Sequence, residues 1–226
     1  MNYDDLARIV VSQVAEKGES HRIVSIDLET RVLSQSDFLT GEMILSFALA
    51  RRVDGVVQSK LFTLTEETPR AQQTLFSETN LEVERIRPLI VVGYNVTGYD
   101  LPLLRAELRR SPTPHWALID MVERAFVLDM KHPLKFEIAR ADSSSPRVRT
   151  LEDVINHPRF AHLRFSGAKS MLKGLDKSQK GQKIYNMWRE KRSDFEKYAT
   201  GDVVDVLTLF EELYERRQAV ASVRTS

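Results

Sequence analysis

The chain has 226 residues, 42% of them hydrophobic and 29% charged, and a formal net charge of +1. That is the composition of an ordinary soluble globular protein with apolar material for one substantial core. The absence of cysteine excludes disulfides and thiolate metal sites, and no apolar run approaches the length that crosses a bilayer.

The start, MNYDDLARIV, carries acids where a secretory leader would carry bases, so the expected location is cytoplasmic. The near-zero net charge hides an asymmetry. Residues 158–197 carry a net +7, which leaves −6 on the rest. A basic segment in an otherwise acidic chain suits a polyanionic partner or a solvated face.

Leu6, Ile9, Val10 and Val14 recur at helical spacing, so residues 4–17 are expected to form an amphipathic helix. HRIVSIDLET, from His21 to Thr30, alternates Val24, Ile26 and Leu28 with Ser25, Asp27 and Glu29, the period of a strand. Period two puts Asp27 and Glu29 on one face, about 7 Å apart, with an aliphatic face behind them. Neighbouring carboxylates repel unless a cation lies between them, so the pair either ends in solvent or binds a metal. After a polar turn at Ser34 to Asp37, EMILSFALARRV and VVQSKLFTL read as two strands joined at Asp54-Gly55, completing an antiparallel meander. Thr68-Pro69 opens a helix carrying Leu75, Phe76, Leu81, Val83 and Ile86, with a break expected near Asn80.

LIVVGYNV, from Leu89 to Val96, is the run of a central strand buried on both faces. Asp100 follows it, either as a ligand-binding residue at the end of a sheet strand or as the cap of a helix opening at Leu101-Pro102. Phe126 to Met130 reads as a short strand ending at Asp129. Residues 140–150 are a polar loop, and Thr150 caps a helix around Leu151 to Asn156. Residues 167–182, rich in glycine and lysine, read as a surface loop. SDFE at 193–196 has the spacing of a capping box with Ser193 at the cap. Its helix is expected to reach about Arg217, with Val203, Val206, Leu207, Phe210 and Leu213 as the apolar stripe. On it Tyr198 and Asp202 stack one turn apart, and Asp205 competes with Asp202 as a site acid. The five histidines show no metal-binding spacing, and Trp116 and Trp188 are read as buried packing rather than base-stacking groups.

A strand meander followed by helix–strand–helix units indicates an α/β fold: an RNase H-like mixed sheet flanked by helices. It is expected as one domain over 1–226, with a helical extension at 1–20 and the core at 21–213.

Three motifs stand in order: IDLET on the first strand, N-x-x-x-Y-D after the buried strand, and Y-x-x-x-D on the late helix. In them the chain resembles the tyrosine-bearing subgroup of the DEDD superfamily of 3′–5′ exonucleases. The likeness is to the proofreading domain of family B DNA polymerases and to stand-alone relatives of it. Asp27 and Glu29, followed by Thr30, match the first motif. Asn95, Tyr99 and Asp100 match the second. Tyr198 and Asp202 match the third, which selects Asp202 over Asp205; Lys197 stands where the histidine subgroup has its histidine. The resemblance spans His21 to Leu213, although no family signature aligns between Asp129 and Gly174.

The resemblance implies a metal-dependent 3′–5′ exonuclease acting on single-stranded or frayed DNA. Asp27, Glu29, Asp100 and Asp202 would hold two Mg²⁺ or Mn²⁺ ions, and Tyr198 would orient the attacking water. Thr30 would meet the substrate, and Asn95 and Tyr99 would contact the terminal nucleotide or shape its pocket, with core packing as the alternative role for Tyr99. Lys169 and Lys173, with Lys177 and Lys180, are expected along the strand's path, and Arg105, Arg109 and Arg110 form a second basic patch. The length leaves no room for a polymerase domain, so the nuclease is expected to work alone or with a separate partner, a polymerase or a replication or repair protein. An exoribonuclease is the alternative enzyme, and an inactive module that binds nucleic acid or a replication protein is the alternative class.

Overall fold

A computed structural model describes residues 2–32, 42–141 and 149–215. The expected turn at 34–37 and most of the polar loop at 140–150 lie outside the described residues. Among the described residues, five strands form one sheet: β1 (Ile23–Val32), β2 (Glu42–Val53), β3 (Val56–Thr63), β4 (Ile90–Gly93) and β5 (Phe126–Asp129). Their order is β3-β2-β1-β4-β5. The first three pair antiparallel, and β1–β4 and β4–β5 pair parallel. This is the expected RNase H-like mixed sheet.

The hairpin between β2 and β3 turns on Asp54 and Gly55, with φ of 49° and 78°, the left-handed pair of a two-residue turn that follows strand twist. The expected central strand is shorter than its apolar run, because β4 ends at Gly93. The middle position belongs to β1.

Eight α-helices are described: α1 (Tyr3–Glu16), α2 (Pro69–Ile86), α3 (Asp100–Arg110), α4 (Trp116–Arg124), α5 (Lys131–Ala141), α6 (Leu151–Ile155), α7 (Lys177–Glu190) and α8 (Arg192–Phe210). One sheet face presents Val24, Ile26, Leu28, Phe47, Leu49 and Val91 to α2, α3 and α4. The other presents Ile23, Ala48, Ala50, Val92 and Leu128 to α1, α5, α6 and α8. The small side chains Ala48 and Ala50 let α8 lie close to the sheet, and period two leaves Asp27 and Glu29 on that same face.

Four local expectations are corrected. Helix α2 is unbroken at Asn80; the Asn80 Oδ1 instead accepts from the amides of Ala117 at 2.9 Å and Leu118 at 3.2 Å, capping α4. The expected loop at 167–182 contains a 3₁₀ turn, Ala168–Leu172, and the first residues of α7. The buried residues of α7, Ile184, Met187 and Trp188, all lie in its second half, so its first half shows no apolar period. Ser193 is inside α8, whose cap position is Lys191. Trp116 is 71% exposed, whereas Trp188 is buried as expected and donates to the Leu64 carbonyl at 3.1 Å. The Thr150 cap of α6 is present, reciprocated by Asp153. No helix among the described residues is long and apolar enough to cross a membrane.

Candidate metal centre

Asp27 and Glu29 leave β1 toward α8, and Asp202 leaves α8 toward them. One carboxylate oxygen from each lies within 4.8 Å of the others. Glu29 and Asp202 are buried and Asp27 is half-buried. Asp202 and Asp205 share the helix but not the site. Asp205 accepts from the Ser166 amide at 2.7 Å and hydroxyl at 2.9 Å, which ties the segment before the 3₁₀ turn to α8.

Asp100 stands beside the three rather than among them. It is the first residue of α3, behind a cap position held by Tyr99, so it is not the helix cap. Its Oδ1 accepts from the Leu28 amide at 3.0 Å, a bond from the strand between the two site acids. Its charge is felt at both Asp27 and Glu29.

Burial and mutual repulsion drive these groups toward their protonated forms. The Asp27 carboxyl is held well above its usual range by burial, then by Glu29, Asp100 and Asp202. Burial, and then Asp202, push Glu29 up to about 8. Burial lifts Asp100 to about 7, against the opposing bond from Leu28. Asp202 is also raised by burial, against the pull of Lys169.

Lys169 is the cation inside this cluster, a position different from the surface path expected for it. From the 3₁₀ turn its ammonium donates to Asp202 Oδ2 and, at 3.1 Å, to the Tyr198 hydroxyl. The neighbouring acids hold its ammonium above the ordinary lysine value despite burial. Tyr198 is buried on α8, with its hydroxyl raised well above the usual value by burial and then by Glu29, Asp202 and Asp27. At neutral pH it is therefore a neutral phenol that can donate or accept a hydrogen bond, and it is no base.

Most of the remaining expected residues have other partners. Thr30, Tyr99 and Glu42 form a polar knot. The Thr30 hydroxyl lies 2.8 Å from Glu42 and 2.7 Å from the Tyr99 hydroxyl, which also donates to Glu42. Asn95 adopts φ 66°, a left-handed conformation asparagine tolerates, and its Oδ1 accepts from the Lys131 ammonium at 2.6 Å. Lys173 is exposed at the end of the 3₁₀ turn, Lys180 pairs with Glu152 at 2.9 Å, and the Lys177 side chain lies outside the described residues. Arg105 and Arg110 pair with Glu123 and Glu107.

Asp129 is a functional candidate that sequence reasoning passed over. It is buried at the end of β5. Its carboxylate accepts from the amides of Asn95, Thr97 and Lys131 at 2.8, 3.1 and 3.0 Å, and from the Thr97 hydroxyl at 2.6 Å. It thereby fixes the loop that delivers Asp100. The available signal was an acid closing a short apolar strand at the same sheet edge.

The donor set fits a hard divalent cation. Oxygens from three acids converge, and Asp202 Oδ1 is buried with no hydrogen-bond partner. A buried acceptor without a donor is costly, and a cation ligated by oxygen would satisfy it. The cluster already recruits one positive charge, that of Lys169.

No protein-family model matches the chain, and no curated protein matches it. Among solved structures, it is similar to the family B DNA polymerase from the hyperthermophilic archaeon Pyrobaculum calidifontis. The TM-score is 0.60 at 20% identity, over 84% of this chain and 24% of that one. The chain thus spans about a quarter of that polymerase's length, and at this identity the likeness establishes a shared fold alone.

Proposed function

We propose that this chain is a divalent-metal-dependent 3′–5′ exonuclease that removes nucleotides from the 3′ end of single-stranded DNA. The observation that carries the reading is the convergence of Asp27, Glu29 and Asp202 with an unpartnered buried oxygen on Asp202. The matching motif order and the fold shared with a DNA polymerase support it.

Asp27, Glu29 and Asp202, with Asp100 at their side, would hold Mg²⁺ or Mn²⁺. When bound, these ions supply Lewis-acid activation of water and neutralise charge at the scissile phosphate. The chain's own part is positioning. The Tyr198 phenol holds the attacking water by a hydrogen bond, in line with the terminal phosphorus. The water oxygen bonds to phosphorus as the P–O3′ bond breaks, and the departing oxygen takes up a proton. The products are a nucleoside 5′-monophosphate and a strand shortened by one residue with a free 3′ hydroxyl. Asp100 braces β1 through the Leu28 amide, and Asp129 braces the Asp100 loop from β5.

Digestion of 5′-end-labelled single-stranded DNA and RNA in Mg²⁺ or Mn²⁺ tests the proposal. The expected result is a ladder that shortens from the 3′ end of DNA and disappears in Asp27→Ala and Asp202→Ala. Stronger laddering of RNA would reassign the substrate. A full-length product in every lane would leave a nucleic-acid-binding module as the better reading.

A further inference from the structure

We infer that the outer face of α5 carries the single strand toward the acid cluster, with Phe136 as a stacking platform for a base. This rests on the nuclease reading above. Phe136 is 72% exposed, a large apolar surface left in water at a cost. Leu134 and Ile138 are the buried residues of α5, so helical period places His132, Phe136 and Arg140 together on the opposite side. All three are exposed, and Lys135 is half-buried beside them. The acid of the helix, Glu137, is turned away and engaged by Arg159 at 3.2 Å. The exposed stripe is therefore aromatic and basic, the combination that binds single strands by stacking and phosphate neutralisation.

Position ties the stripe to the site. Helix α5 begins at Lys131, two residues after Asp129, at the sheet edge where the Asp100 loop emerges. The Lys131 ammonium reaches Asn95 in that loop at 2.6 Å. Leu134 and Ile138 pack on the sheet face that bears Asp27 and Glu29. Helical rise sets Phe136 about 7.5 Å and Arg140 about 13.5 Å along the axis from Lys131. On this proposal, a strand whose 3′ end lies at the acids runs past Asn95 and Lys131 and then along the helix to Phe136. Of the other basic candidates, Lys169, Lys180, Arg105 and Arg110 already pair with acids, whereas the exposed Lys173 and Arg109 have no exposed aromatic beside them in sequence.

The test is fluorescence anisotropy of 5′-fluorescein oligothymidylate in Ca²⁺, followed by digestion in Mn²⁺. Phe136→Ala is expected to weaken binding about 5- to 150-fold, the loss typical of one stacked base. Phe136→Trp is expected to restore it, with tryptophan emission quenched on strand addition. Arg140→Glu should weaken binding and flatten its salt dependence. Hydrolysis of the p-nitrophenyl ester of thymidine 5′-monophosphate, too small to reach α5, should be unchanged in Phe136→Ala. Wild-type binding by Phe136→Ala, while the native chain degrades the strand, overturns the α5 track and leaves the nuclease reading standing. A native chain that neither binds nor cleaves nucleic acid overturns both.

Discussion

Gly201 on α8 faces Ala168 so closely that a Cβ at position 201 would stand 2.4 Å from the Ala168 Cβ and 2.6 Å from Ser166 Oγ. That contact lets the 3₁₀ turn lie against the helix. The next residues along the two segments, Lys169 and Asp202, are the pair inside the acid cluster. Gly201→Ala is therefore expected to cost about 1–3 kcal/mol through overpacking and to separate Lys169 from Asp202. Urea denaturation reads the first effect. Loss of nuclease activity in folded protein reads the second.

Without metal, the chain should become less stable as pH rises from about 4.5 to 8. Glu29 titrates at 4.5 ordinarily and at about 8 in the fold, so over that window the native state binds more protons than the unfolded chain. Stability then falls with rising pH. Lys169, held above its usual value, keeps its charge across the same range and does not reverse the sign. Thermal melts in EDTA should show the decline, Glu29→Gln should lessen it while the raised Asp27, Asp100 and Asp202 keep part of it, and Mn²⁺ should oppose it by binding the ionised acids.

Asp129→Asn should lower stability by about 1–3 kcal/mol, because one of its two acceptor oxygens becomes a donor facing donors. Activity should fall beyond what the lost stability explains, since the Asp100 loop loses its anchor. Activity measured far below the melting temperature separates the two.

Tyr198→Phe should retain the fold and Mn²⁺ affinity while reducing kcat about 100-fold or more, if the hydroxyl has the proposed role of orienting the attacking water. An unchanged KM would confirm that the hydroxyl acts on the water rather than on substrate binding.

The sequence revealed the parts of this molecule whose period is local. Alternation in HRIVSIDLET is enough to place Asp27 and Glu29 on one face, and Asp54-Gly55 is enough to close the hairpin. The helical stripe of α8 likewise survives as its buried side. What depends on partners distant in the chain was not legible. Asn80 looked like a helix break because its role, capping α4, lies 37 residues away. Lys169 looked like a surface lysine because the acid that binds it is 33 residues on. The first turns of α7 carry no apolar period, so their helix could not be read from pattern. Phe136 went unnoticed because exposure of a single aromatic has no sequence signature.

The central claim, that Asp27, Glu29 and Asp202 form a divalent-cation centre, is tested most directly by anomalous diffraction from a crystal soaked in Mn²⁺. The expected result is an anomalous peak bounded by these three carboxylates, with Asp202 Oδ1 as a ligand and the Lys169 ammonium moved off the Asp202 carboxylate. A map with no peak there at saturating Mn²⁺, and Lys169 still bonded to Asp202, would contradict it.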